Sequence, residues 1–237
     1  MNEEKKYPVS EIFVNLQGEG VYTGVTMCFI RLAGCTVGKP YPANRYKTGM
    51  GEVFGVATDL LPIYTEECTL YDGRKFPCDT DYRVKERLSI TEILKRIPGN
   101  VNRVCITGGE PCMYDLSPLM VRLIGVGKHI HLETSGTIEF DTVPVWVTVA
   151  PKVNFLMSML ERADEIKLLV DEKFDPVDPF LEWAARKPVY LHPVNGEHTV
   201  NAENLKLCRD WQIKFPQYRI GLQLHKAIEH YIHERVR

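Results

Sequence analysis

Thr26-Met27-Cys28-Phe29-Ile30-Arg31-Leu32-Ala33-Gly34-Cys35 reads as a β-strand that runs into a glycine-marked turn and presents a thiol at its C-terminal end. Period-two alternation puts Cys28, Ile30 and Leu32 on one face and Met27, Phe29 and Arg31 on the other. If Arg31 faces a site, Cys28 points away from it. Parallel α/β folds carry their chemistry at this end of their strands. Outward from this stretch, further strand patterns lie at 103–107, 129–133, 145–149, 165–170, 189–192 and 219–225, with helical patterns at 91–96 and 116–124 between some of them. That alternation predicts a parallel α/β architecture.

The composition fits such a fold. The 237 residues are 44% hydrophobic and 25% charged, and no linker or repeat divides them, so a single domain over 1–237 is expected. Lys plus Arg number 29 against 31 for Asp plus Glu, a formal net charge of −2 that offers no general attraction to nucleic acid or to an anionic membrane. A small-molecule substrate suits this surface better. No apolar run approaches the roughly 20 residues of a membrane span, and Met1-Asn2-Glu3-Glu4-Lys5-Lys6 lacks a secretory signal's apolar stretch, so a cytoplasmic protein is expected. In that reducing compartment an odd set of seven cysteines (28, 35, 68, 78, 105, 112 and 208) reads as free thiols or metal ligands.

One stretch interrupts the rhythm. At about 35–82 the chain is rich in Gly, Pro, Tyr and charge with little periodicity, and an irregular segment of that length is usually functional or disordered. Cys35, Cys68 and Cys78 fall in it, with 32 residues between the first pair and 9 between the second, which matches neither a compact zinc knuckle nor a standard ferredoxin run. Three thiolates suit a four-iron cluster by holding three irons and leaving one open to a reacting ligand. Structural zinc or free thiols are the alternatives on cysteine counting alone. Cys105, Cys112 and Cys208 read as packing residues.

Several polar groups could bind or react. Thr107-Gly108-Gly109-Glu110-Pro111 follows an apolar strand; its glycines permit close backbone approach and its carboxylate can accept from an ammonium group, although a plain strand-to-helix turn has the same look. Thr80 in Cys78-Asp79-Thr80-Asp81 is a hard oxygen donor suited to Mg²⁺, or a local cap. Gln17 and Glu19 combine an amide with a carboxylate, and Arg31 offers a fork for a carboxylate; in isolation the first two would pass as turn residues. His192 on an apolar strand reads as a satisfied core histidine or a ligand contact.

Five elements occurring in order make the pattern specific: Glu11-Ile12-Phe13-Val14-Asn15-Leu16-Gln17-Gly18-Glu19-Gly20; Thr23-Gly24; Phe29 through Cys35; Cys78-Asp79-Thr80-Asp81-Tyr82; and Thr107-Gly108-Gly109-Glu110-Pro111. Together they resemble the 7-carboxy-7-deazaguanine synthase family of radical S-adenosylmethionine (SAM) enzymes. The resemblance continues more loosely through Glu133-Thr134-Ser135-Gly136, Ala150-Pro151-Lys152 and a Gln-x-His-Lys signature at Gln223 to Lys226. It departs in the cluster loop. The common spacing C-x3-C-x2-C would put a cysteine at position 39, which is Lys39. Cys35 and Cys78 match the family, and Cys68 is assigned as the other cysteine within the loop.

The resemblance implies an incomplete (β/α)6 barrel, a homodimer and three cofactors: a 4Fe-4S cluster on Cys35, Cys68 and Cys78, SAM, and Mg²⁺ at Thr80. It assigns SAM to Gly108, Gly109, Glu110, Glu133, Ser135, Ala150, Pro151, Lys152 and His192. Leu16, Gln17, Gly18, Glu19, Arg31 and Thr107 would hold the substrate, 6-carboxy-5,6,7,8-tetrahydropterin, with no further catalytic residue assigned. An external one-electron reductant, such as a flavodoxin or ferredoxin, would drive cleavage of SAM to methionine and a 5′-deoxyadenosyl radical. Hydrogen removal from C6, ring contraction and loss of ammonia would give 7-carboxy-7-deazaguanine, the precursor in queuosine-type 7-deazapurine biosynthesis. The 11 residues after Lys226 leave open a terminal-carboxylate contact with the substrate. Two other readings share some of these features: a radical SAM activase of a partner protein, which has no use for a pterin-reading Gln-Gly-Glu turn, and a zinc-stabilised binding module.

Overall fold

The computed structural model describes residues 5–37, 67–78, 80, 84–140, 143, 145–175, 180–196 and 199–228. Two strands open the chain: β1 (Lys6–Leu16) and β2 (Thr26–Leu32), paired antiparallel with Phe13 opposite Phe29 and Glu11 opposite Arg31. They begin one nine-stranded sheet. β5 (Glu86–Ser89) adds antiparallel to the outer edge of β1. On the other side of β2 the strands run parallel: β6 (Arg103–Gly108), β7 (His129–Thr134), β8 (Trp146–Val149), β9 (Glu165–Val170), β10 (Val189–Pro193) and the two-residue β11 (Arg219–Ile220). From β2 to β10 that is a parallel sheet of six strands, the count of a (β/α)6 partial barrel.

Helices cover the outer face. α1 (Ile90–Arg96) starts at a capping box in which the Ser89 hydroxyl accepts from the Glu92 amide and the Glu92 carboxylate accepts from the Ser89 amide. α2 (Ser117–Gly125), α3 (Met157–Arg162), α4 (Leu181–Ala184) and α5 (Ala202–Lys214) follow. Their apolar residues meet Cys28, Ile30, Leu32, Val104, Ile106 and the alternate residues of later strands in the main core. The opposite strand faces enclose a small second cluster of Met27, Phe29 and Cys105. Period two therefore holds: Cys28 lies in the helix-side core and Arg31 on the interior face with the site.

The structure departs from the sequence reading in three places. The stretch at 35–82 is not wholly irregular, since Glu67–Thr69 (β3) and Lys75–Pro77 (β4) form an antiparallel hairpin with Cys68 opposite Phe76. Its two strands are too short to show a period, and Lys39, Asp79 and Asp81 lie outside the described residues. The strand expected at 219–225 ends at Ile220. Gly221 there passes so close to His192 that a Cβ would lie 2.1 Å from Nε2, and the chain then turns to give the Leu224 amide to the Gly18 carbonyl (2.9 Å) in place of a ladder partner. Finally, the segment of 6–16 that carries the Glu11-to-Gly20 motif is also the longest strand of the sheet, exposed along part of one side and so lacking clean alternation.

Candidate active site

A cavity of about 510 Å³ opens at the C-terminal ends of the parallel strands. Three thiols line one part of it. Cys35 follows β2 through Gly34; Cys68 sits on the hairpin; Cys78 comes just after β4. The hairpin is held by its own contacts: the Val153 amide donates to Thr69 O (3.2 Å), Leu70 pairs with Lys152, and Tyr71 packs edge-on to Phe180 at 4.7 Å. Arg74 at its turn reaches Asp171 at 2.7 Å and the Leu169 carbonyl at 3.0 Å, which fastens the hairpin to the end of β9.

Burial pushes the Cys35 thiol up to about 12, and Glu110, Cys68 and Cys78 nearby add to the rise. Burial likewise lifts Cys68 to about 11. Lys152 lies among the same sulfurs, and its desolvation lowers its pKa although the thiols oppose that. Thiols so placed stay protonated unless a metal's charge stabilises the thiolate. Among the described residues no three His, Cys, Asp or Glu converge on one ion, and sulfurs that each bind a different iron of a cluster need not. Soft donors converging on one cavity fit an iron–sulfur cluster.

The turn after β6 abuts this group. A Cβ on Gly109 would lie 2.2 Å from Gly34 O and 2.6 Å from Cys35 Cβ, and the Glu110 amide donates to Gly34 O at 3.0 Å. Only glycine permits that approach. Ser135, Ala150 and Lys152 also line the cavity, as does Thr80.

A polar network occupies the other part. Lys167 Nζ contacts Glu19 at 2.5 Å and Glu133 at 3.4 Å. Gln17 Nε2 donates to Glu133 Oε1 at 3.1 Å, Thr107 Oγ1 donates to Glu133 Oε2 at 3.0 Å, and the Glu19 amide donates to Gln17 Oε1 at 3.1 Å. Burial would raise the Glu19 pKa, but Lys167 and secondarily His192 overcome it and hold the carboxyl well below its usual range. Lys167 in turn is desolvated yet raised above the ordinary lysine value by Glu133 and Glu19. The group is charged on both sides. Arg31 Nε bonds Glu11 Oε1 at 2.6 Å across the β1–β2 pair, with Arg31 on the cavity wall.

All six residues expected at the substrate (Leu16, Gln17, Gly18, Glu19, Arg31 and Thr107) line the cavity, together with Gly108, Gly109, Glu133, Ser135, Ala150 and Lys152 from the expected SAM set. The Glu133 carboxylate, from the SAM set, bonds Gln17 and Thr107 of the substrate set. Glu110, Pro151 and His192 are not on the wall. Glu110 is fully buried and accepts from Thr134 Oγ1 (2.8 Å), the Ser135 amide (2.8 Å), the Ser135 hydroxyl and the Cys112 amide (2.9 Å), so it braces the loop after β7. His192 is buried, and neither ring nitrogen has a partner among the described residues. Sequence reasoning missed Lys167 and Thr148; a lone lysine in the apolar run of 165–170 was the available signal.

No protein-family model matches the chain. Individual relatives do. The 7-carboxy-7-deazaguanine synthases of Escherichia coli (strain K12) and Synechocystis sp. are 32% and 31% identical to it, each over 94% of this chain and over 98% and 92% of their own lengths. A crystal structure of QueE from Escherichia coli aligns with a TM-score of 0.63 at 29% identity, covering 92% of this chain and 93% of that one. With 32% identity sustained over nearly the whole of both sequences, on an α/β fold with six parallel strands, this chain belongs to the 7-carboxy-7-deazaguanine synthase family.

Proposed function

We infer that this chain is a radical SAM lyase that converts 6-carboxy-5,6,7,8-tetrahydropterin to 7-carboxy-7-deazaguanine with loss of ammonia, in 7-deazapurine biosynthesis of the queuosine type. Its cofactors are a 4Fe-4S cluster, SAM and Mg²⁺. The observation that carries the reading is one cavity with sulfur donors on one wall and a charged amide–carboxylate–lysine network on the other. Cys35, Cys68 and Cys78 would hold the cluster and Thr80 the Mg²⁺. Bound there, cluster and SAM supply the hydrogen abstraction that starts the reaction.

The chain's own residues bind and orient. Gln17, Glu19, Thr107 and Glu133 present acceptors and donors suited to the hydrogen-bonding edge of a pterin, and Lys167 reaches both carboxylates and holds that of Glu19 ionised. Arg31 would place its guanidinium on the substrate carboxylate, with Glu11 orienting it through Nε. Gly108 and Gly109 allow the methionine part of SAM to lie against backbone. The Gln223-Leu224-His225-Lys226 segment closes over Gly18, where a Cβ would meet His225 Nδ1 at 2.5 Å, and helps keep water from the cavity.

We further propose that the chain acts as a single domain and a homodimer in the cytoplasm and takes its electron from a flavodoxin or ferredoxin; no helix among the described residues is long and apolar enough to cross a membrane. The test is anaerobic reconstitution followed by incubation with SAM, reductant and the carboxytetrahydropterin. The expected result is the deazaguanine product, abolished together with the cluster's absorption by Cys→Ala at position 35, 68 or 78. An intact cluster in active Cys68→Ala protein would remove Cys68 from the ligand set.

A further inference from the structure

A second cavity, of about 600 Å³, lies at the opposite end of the parallel strands. Arg103 opens β6, His129 opens β7, Trp146 opens β8, and Asp164 directly precedes β9; all four line it. Period two relates the two ends of the barrel. The interior faces that carry Thr107, Glu133 and Thr148 at the reaction end carry Arg103, His131 and Trp146 at this one. Between them stands the apolar group of Met27, Phe29 and Cys105, with Tyr22 packed against it.

The charges here are unequal. Arg103, Lys128 and Arg162 line the cavity against the single carboxylate of Asp164, in a chain whose formal net charge is −2. Arg162 is engaged, donating to the Val145 carbonyl at 2.8 Å and lying 3.4 Å from Asp164. Asp164 also accepts from the Val147 amide at 2.7 Å. Neither Arg103 nor Lys128 forms an ion pair among the described residues. Arg103 lies 4.7 Å over the Tyr22 ring and donates to His131 Nε2 at 3.0 Å; burial and the Arg103 charge lower the His131 pKa to about 4, so this imidazole is a neutral acceptor at physiological pH. Among the described residues Lys128 Nζ bonds only a backbone carbonyl, that of Val101 at 2.7 Å.

Two further features bear on the ligand. The Trp146 indole Nε1 is buried with no hydrogen-bond partner among the described residues, a donor that gains when an acceptor arrives. Apart from His129 at the rim, the remaining walls are apolar: Ile124, Ile130 and Val145, with the Tyr22 and Trp146 rings edge to face at 5.0 Å. A bare ion would satisfy the cations and leave those walls wet. A flat ring that carries an anionic group would use both.

We propose that this cavity is a second small-molecule site, which takes a planar ring bearing a carboxylate or phosphate. Arg103 and Lys128 hold the oxyanion, the indole N–H of Trp146 donates to an acceptor on the same molecule, and the ring lies against Tyr22, Ile124 and Val145. Nothing in the cavity resembles the sulfur donors or the Gln17 network of the reaction site.

The test is titration calorimetry on the reconstituted holoenzyme with phenyl phosphate, benzoate and inorganic phosphate, joined to NMR of the ¹⁵N-labelled indoles. Phenyl phosphate or benzoate should saturate at one site per chain, at least about tenfold more tightly than inorganic phosphate, and the two ring probes distinguish a phosphate from a carboxylate ligand. The Trp146 indole signal, identified by its loss in Trp146→Phe, should move on binding. Lys128→Gln and Arg103→Gln should each weaken binding about tenfold or more, whereas Arg31→Gln in the other cavity should leave it unchanged. Lys128 is partly exposed, so its substitution tests the site even if Arg103→Gln fails to fold. No saturation at millimolar concentration, equal affinity for inorganic and phenyl phosphate, or affinity unmoved by Lys128→Gln would overturn the proposal.

Discussion

Lys167 on β9 joins two carboxylates, Glu19 at 2.5 Å in the turn after β1 and Glu133 at 3.4 Å on β7. Its side chain is only 11% exposed, so removing the ammonium leaves two half-buried carboxylates without their cation. Lys167→Met is therefore expected to lower unfolding free energy by about 3–5 kcal/mol in urea titration and to abolish turnover. Arg31 calls for a different measurement. Its substitution by Lys keeps a charge but loses the planar fork, so the KM for the carboxypterin should rise while SAM cleavage in the absence of substrate persists. An unchanged KM would remove Arg31 from substrate recognition.

Among elements, the β3–β4 hairpin matters most, because it brings a thiol to the cavity from outside the parallel sheet. Arg74 fastens it to Asp171, and Arg74→Gln should speed loss of cluster iron to a chelator while leaving the urea midpoint of the remaining sheet little changed. The cap of α1 behaves oppositely. Ser89→Ala removes a capping-box hydroxyl far from the cavity and should cost about 1 kcal/mol of stability with turnover preserved. These elements also show what could be read from the chain alone. β2 and the strands of 103–108 and 165–170 announce themselves through β-branched alternation, and the same alternation assigned Cys28 and Arg31 to their faces. The hairpin could not be read this way, since strands of three residues carry no period, and Lys167 escaped because its partners come from other parts of the chain.

At the scale of the molecule, two buried histidines bias folding toward neutral pH. Burial lowers both His131 and His192 to about 4 from an ordinary value of 6.5. Each ring thus binds its proton more weakly in the folded chain, so the unfolded chain takes up more protons between those values. The stabilisation is full above about pH 6.5, declines as pH falls and is gone below about 4, amounting to up to about 3 kcal/mol per ring. Urea midpoints should fall across that window, and His192→Gln should flatten the decline. An unaltered slope would mean that His192 takes up its proton equally in both states.

The same hairpin also bears on how such a sequence drifts. Cys68 is placed by what the hairpin docks against, on Lys152, Val153 and Asp171, and not by its distance along the chain from Cys35. Between two positions held by the fold, loop closure costs only about 0.6 kcal/mol more for each doubling of chain length, so the count of residues from Cys35 to Cys68 is cheap to change. Selection can let that number wander while it guards the sulfur positions. Signatures defined by counting residues between cysteines will therefore pass over chains whose ligands sit in the same places in space, whereas the partners of the hairpin would still give them away.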